Sequence, residues 1–300
     1  MRYYTILFFL ITIFTSCKSG YTKIGNANSN YIPYYQKIYE ADSLYVIGNY
    51  DESYALLDSL FKLYEPIDTY RIREYQTYCK LTILVNKKLK PKDFFKLVSK
   101  YGHDKNWITG DSILNSYYNS MPNSEKLYKV GREKYLKSID LELRAKIVNM
   151  NVEDQKYRTG KSTPEIVASR KVADSINEQE LRKIFNTVGY PNEKIIGNYT
   201  IDKSSVFINP ILYHTSTSTA KEYFFSKMLE YTRQGRVEPF VYAFMIDRYN
   251  LFRFDKQLYG TFRDRLNISE TETNKNRNSI GLPSLDYEEW KNKIRNPKQN

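Results

Sequence analysis

From residue 34 onward the apolar positions recur at helical spacing. Ile38, Ala41, Leu44 and Tyr45 fall at i, i+3, i+6 and i+7, which predicts a helix over 34–48. Gly48-Asn49-Tyr50 interrupts the pattern, and Asp51 can cap the next helix. Tyr54, Leu57, Leu60, Phe61 and Tyr64 form the stripe of that second helix, which Pro66 ends. Helical patterning continues over 69–87 and 92–101. The stretch 102–110 reads as a loop that exposes His103 and Asp104. Asp111 caps a short helix to Met121, and Pro122-Asn123 breaks it. Leu127, Val130, Tyr135, Ile139, Leu143 and Ile147 predict one long helix over 125–157, with the junction between two blocks near residue 140. Leu181, Ile184 and Phe185 share a face of a further helix that Gly189-Tyr190-Pro191 ends. The runs 251–254 and 257–262 flank Asp255-Lys256 and predict a β-hairpin over about 251–262. Polar 270–279 reads as a loop, and 285–294 as a short amphipathic terminal helix. The expected fold is mainly α: a helical-hairpin block followed by an α-rich block with that one hairpin.

The first 16 residues have a different pattern. Arg2 precedes TILFFLITIF, an uncharged run of about 10 residues, too short for a bilayer core of roughly 30 Å. Phe14-Thr15-Ser16-Cys17 comes next and resembles a bacterial lipobox, with Phe14 where Leu is usual. The resemblance implies cleavage before Cys17 and diacylation of its thiol. A plain secretory signal with an incidental cysteine is the alternative. Polar, small-residue 18–30 then reads as a tether. The residues after Cys17 are basic, which points to a periplasm-facing anchor in the cell envelope.

Composition narrows the picture further. The 300 residues carry 46 Lys+Arg against 34 Asp+Glu, a formal charge of +12. The cations are scattered among acids, and no nucleic-acid motif or dense basic helix occurs, so a nucleic-acid partner is not expected. A 41% apolar and 15% aromatic content excludes a disordered chain. With Cys17 acylated, Cys79 is a lone thiol, expected buried and inert, and no disulfide framework exists. No Cys/His cluster has zinc spacing and no cofactor motif appears, so neither metal nor cofactor is expected.

Two resemblances organise the body. Gly48, Tyr50, Leu57 and Leu60, with Ser53 at a small-residue position, resemble one tetratricopeptide repeat, although Lys37 stands where a large aromatic belongs and no second copy is seen. The C-terminal half carries an ordered series: Asp154-Gln155-x-x-Arg158, Asp174-x-x-Asn177, Gly189-Tyr190-Pro191, His214, Asp247-Arg248, Gln257-Leu258-Tyr259-Gly260-Thr261, Arg277 and Gly281-Leu282-Pro283. This series resembles the bacterial domain of unknown function 6624 family. The resemblance implies a domain boundary and no established activity. It departs at Asn209-Pro210-Ile211-Leu212-Tyr213, which precedes His214 where the family has an unbroken apolar helix ending in Gln-His. The expected organisation is a signal peptide 1–16, lipid anchor and tether 17–30, helical block 31–139, family domain 140–295 and tail 296–300.

The polar set suggests a site. His214 is the candidate general base, since imidazole titrates near neutrality. Asp247 or Asp154 would orient it. Arg248 or Arg158 would hold an anionic group, with Gln155, Gln257 and Tyr259 as further binding residues. Asp154 and Arg158 lie four apart and can pair on one helix face. No nucleophile elbow or phosphate loop accompanies them. The same residues can equally form a buried network that fixes helix packing, or an open binding site without catalysis. At the level of the whole protein the expectation is an uncharacterised envelope lipoprotein serving as an interaction or structural module, with a partner protein or peptide on the N-terminal helices. An envelope hydrolase using His214 is the alternative.

Overall fold

The structure, a computed structural model, describes residues 20–215, 219–265 and 268–296. The signal segment, Cys17 and most of the tail lie outside the described residues. Helix accounts for 66% of the described residues, with no strand or sheet among them. No described helix is long and apolar enough to cross a membrane.

Helices α1 (Ile32–Val46) and α2 (Tyr50–Leu63) form an antiparallel hairpin. Gly48, at φ +85°, makes the turn. Ser53 is fully buried where the helices meet, and its Oγ donates to the Ala41 carbonyl at 2.8 Å. Tyr31, Tyr34 and Tyr35 are fully buried beside Leu57 and Leu60, so the tyrosines of this half are largely core. A second core gathers α3 (Glu74–Leu84), the single turns α4 (Pro91–Phe94) and α5 (Lys96–Ser99), α6 (Lys105–Thr109) and α7 (Ser112–Ser120). Cys79 lies in it, buried, with its thiol pushed well up by that burial.

The predicted long helix is two. α8 (Ser124–Ser138) ends at extended Ile139, and Asp140 caps α9 (Leu141–Lys156) through the Leu143 amide at 2.8 Å. An Asp at this position competes with the helix for its own backbone donors, so it starts a helix more readily than it continues one. α9 pairs with α10 (Pro164–Thr187). The third core lies between them, α12 (Asn209–Tyr213), α13 (Phe225–Arg233) and α14 (Pro239–Phe254). α11 (Glu193–Ile196) is one turn.

The hairpin over 251–262 does not form. Residues 251–254 are the last turn of α14, which Asp255 ends in the left-handed region at φ +49°. The donors that a strand would use are already taken. Asp247, fully buried, accepts from the amides of Leu258 (2.7 Å), Tyr259 (3.0 Å) and Thr261 (2.9 Å) and from the Thr261 hydroxyl (3.0 Å). Gln257 locks the same loop, donating to the carbonyls of Phe262 and Arg265 and accepting from the Phe262 amide. Polar 270–279 is likewise not a loop but α15 (Glu270–Ser279), capped by the Ser269 hydroxyl.

The two halves are tied at several points. α16 (Tyr287–Arg295) returns to α1, where Tyr287 and Lys291 both donate to buried Asp42. Tyr35 donates to the Val237 carbonyl at 2.9 Å, and Arg73 pairs with Glu193 at 3.0 Å. The expected tether is partly laid along the body. The Thr22 amide donates to the Leu63 carbonyl, the Glu65 amide to the Thr22 carbonyl and the Gly25 amide to the Gln234 carbonyl, each at 2.8 Å.

Asp247→Ala removes four hydrogen bonds from a buried carboxylate and leaves three amides without acceptors. Bonds to charged groups contribute about 1.5–3 kcal/mol each and do not add fully, so the expected loss is about 3 kcal/mol in urea unfolding. A loss under about 0.5 kcal/mol would refute the anchoring role.

Candidate functional site

The residues singled out in the C-terminal half fall into two separate groups. His214 caps the C-terminus of α12, and its Nδ1 lies 2.9 and 3.0 Å from the two oxygens of Asp154 on α9. Asp154 is almost fully buried. Gln155 Nε2 donates to it at 2.7 Å, and Arg158 reaches it through Nη2 at 3.1 Å and Nε at 3.3 Å. Arg158 also pairs with Asp174 of α10. Burial pushes the Asp154 carboxyl upward, but the bonds from His214 and Arg158 outweigh it and hold the group below its ordinary range. Burial raises Asp174, with Arg158 opposing and Asp154 adding to the shift.

This order of ionisation sets the tautomer. An ionised Asp154 only accepts hydrogen bonds, so His214 Nδ1 carries a hydrogen, and in the neutral ring the lone pair is then on Nε2. The imidazole side chain retains 19% exposure, and Nε2 has no hydrogen-bond partner among the described residues. Arg248, on α14, donates through Nε to the Tyr213 carbonyl at 3.2 Å. Burial first, and the charge of Arg158 second, lower its affinity for its proton. No carboxylate pairs with it among the described residues. Asn177, one turn beyond Asp174, is buried with its Nδ2 unbonded among the described residues.

Asp247, Gln257 and Tyr259 are not in this group. Asp247 and Gln257 organise the loop after α14, and Arg277 joins them, donating to the carbonyls of Tyr259 (2.9 Å) and Pro283 (2.7 Å). Their bonding is to backbone and hydroxyl groups, so they hold the chain in place. Asp247 therefore does not orient His214. His103 is also placed differently from expectation. It is fully buried against Trp107, its Nε2 3.4 Å from Asp68. No group of three or more His, Cys, Asp or Glu among the described residues could hold a metal ion.

A cavity of about 310 Å³ lies between the two halves. Its walls come from 67–73 and 100–101 on one side and 190–194, 206–209 and 236–241 on the other. Sequence reading missed it because its residues lie far apart along the chain. The one signal was the Gly189-Tyr190-Pro191 turn, which supplies Tyr190 and Pro191 to its wall. Gly189 itself sits at φ +84°, with the Arg236 guanidinium where a Cβ would stand. Burial, then the charge of Lys100, lowers the Lys194 ammonium to about 8. Burial raises the Glu238 carboxyl to about 7.

The chain matches no protein-family model, no curated protein and no solved structure.

Glu238 gives a pH signature. It faces Arg71, Arg73 and Glu74 and accepts from the Tyr70 amide. The folded chain holds this proton up to about pH 7, whereas the unfolded chain loses it near pH ~4.3. Folding therefore takes up a proton within that window, and stability falls as pH rises through it. Glu238→Gln keeps the acceptor and removes the titration. Its melting temperature is expected to exceed that of the native chain by at least about 2 °C at pH 8, with the gap closing at pH 4.5. A gap independent of pH would exclude this account.

Proposed function

We propose that this chain is a lipid-anchored envelope protein whose C-terminal half hydrolyses a carboxylate- or phosphate-bearing substrate, with His214 as general base. The supporting observation is the His214–Asp154 pair at 2.9 Å, its carboxylate buried and fixed by Gln155 and Arg158. Asp154 orients the ring and stabilises the imidazolium. Nε2 takes a proton from water as the water oxygen bonds to carbonyl carbon or phosphorus. The departing oxygen then takes that proton back, so the ring is restored. Arg248 holds the anionic group. In this reading anchoring is through a diacylated Cys17, and the motif order from Asp154 to Pro283 supports a relation to the domain of unknown function 6624 family.

A second reading, a protein-interaction module on the N-terminal helices, draws support from Ile47, Tyr50 and Leu63, apolar or aromatic side chains left exposed on the α1–α2 hairpin. Ile47→Glu with Leu63→Glu would then abolish a chemical crosslink to an envelope partner without lowering the melting temperature. A native chain that forms no crosslink would count against it.

The hydrolase reading is tested with 4-nitrophenyl phosphate and 4-nitrophenyl succinate. His214→Ala is expected to lower kcat/KM by about 10²–10⁴, the usual contribution of a general base. Asp154→Asn should lower kcat more than it raises KM. A native chain that turns over neither compound, or an alanine variant as fast as the native chain, would reject the assignment.

A further inference from the structure

The cavity between the halves is distinct from the His214 cluster, although α12 touches both: Asn209 and Tyr213 line the cavity, while His214 turns to α9. At about 310 Å³ it stands at the small end of the roughly 300–1,000 Å³ typical of small-molecule sites. Its charges are unbalanced. Lys100 and Lys194 share one carboxylate, Glu65, at 2.9 and 3.7 Å. Among the described residues the Arg236 guanidinium bonds only backbone carbonyls, those of Val188 (3.1 Å) and Gly25 (3.5 Å). Its Nε is buried and has no partner among the described residues. That Nε lies against Gly25, so the charge of the guanidinium, and not this donor, is what an anion in the cavity would meet. The Glu238 carboxyl, raised to about 7, is only about half ionised at neutral pH and so offsets about half of one positive charge there. Aromatic rings line the cavity as well, those of Tyr70 and Phe207 5.9 Å apart.

We propose that this cavity binds a small organic anion, a flat apolar body bearing a carboxylate or phosphate that pairs with Lys194 and Arg236. The anion bridges the halves, since Lys194 and Arg236 come from one and the 67–73 wall from the other. Lys194 is faced by Glu65 and Lys100, with Asp68 and Glu74 beyond them. Its ammonium, lowered to about 8, loses its charge as pH rises.

The test is calorimetric titration of the purified chain with phenyl phosphate, against inorganic phosphate (the anion alone) and benzyl alcohol (the ring alone). Saturable binding at least tenfold tighter than inorganic phosphate is expected, with none for benzyl alcohol. Lys194→Gln and Arg236→Gln should each weaken it at least tenfold. Should either variant fold poorly, the native chain still decides. Its affinity should fall at least fivefold from pH 7.5 to 9.5, a range in which the probe, with a second pKa near ~6, keeps its charge. The part of the binding that Lys194→Gln removes should persist in His214→Ala, so failure of the hydrolase reading leaves this one standing. Phenyl phosphate binding no better than inorganic phosphate would overturn the proposal. So would an affinity flat across that pH range, or binding lost in His214→Ala and kept in Lys194→Gln.

Discussion

A carboxylate taken out of water must find a full set of donors, and much of this fold is a response to that demand. Where helices supply no donors, loops bend to provide them. Glu74 collects the amides of Asp68 and Thr69, the Thr69 hydroxyl and the Tyr34 hydroxyl, at 2.6–2.8 Å. Asp68 takes the Tyr75 amide at 3.0 Å. The pair thereby shapes the 67–73 wall of the cavity from within. Asp247 does the same for 257–262. Arg144 is the cationic counterpart, gathering the carbonyls of Ile196, Gly197 and Ser204 together with Asp202. Segments without regular secondary structure are held as firmly as the helices, which is what a site built on loops requires.

This demand also explains which parts were legible in the sequence. The amphipathic helices α1, α2 and α10 were readable because periodicity reports burial directly. The cap at Asp111, which accepts from two amides at 3.1 Å, was readable because capping is a local event. The segment 251–262 was not. Its apolar residues look like a hairpin, and only a residue several positions upstream, Asp247, determines that it wraps as a loop. His103 was misplaced for the same reason, since a short polar stretch gives no sign that Asp68 and Trp107 will cover it.

The site shows a similar division. Asp154 and Gln155 lie in the last turn of α9 and Arg158 just past its end, within five residues of chain, so their proximity could be read from spacing. That His214 would join Asp154, and not Asp247, depends on how α12 crosses α9. Both aspartates are buried, and residue type does not distinguish them. What separates them is the competition for their oxygens. Asp247 is filled by backbone amides, while Asp154 keeps acceptor capacity for an imidazole.

Pro210 is the residue that made this segment depart from its expected pattern, and its position gives the departure a physical sense. It stands in the first turn of α12, where a missing amide hydrogen is harmless and a fixed φ favours helix initiation. The helix runs from Asn209 to Tyr213. With so short an element, Asn209 and Tyr213, four apart, share one face and reach the cavity, where Asn209 accepts from the Tyr190 hydroxyl at 2.6 Å. Ile211 and Leu212 fill the core, and His214, just past the end, is released toward Asp154. The Tyr213 carbonyl, at the last residue of α12, accepts from Arg248. A longer helix would have withdrawn that carbonyl into its own ladder. The proline thus fixes where α12 begins, and the end of that short helix places both the histidine and the arginine beside it.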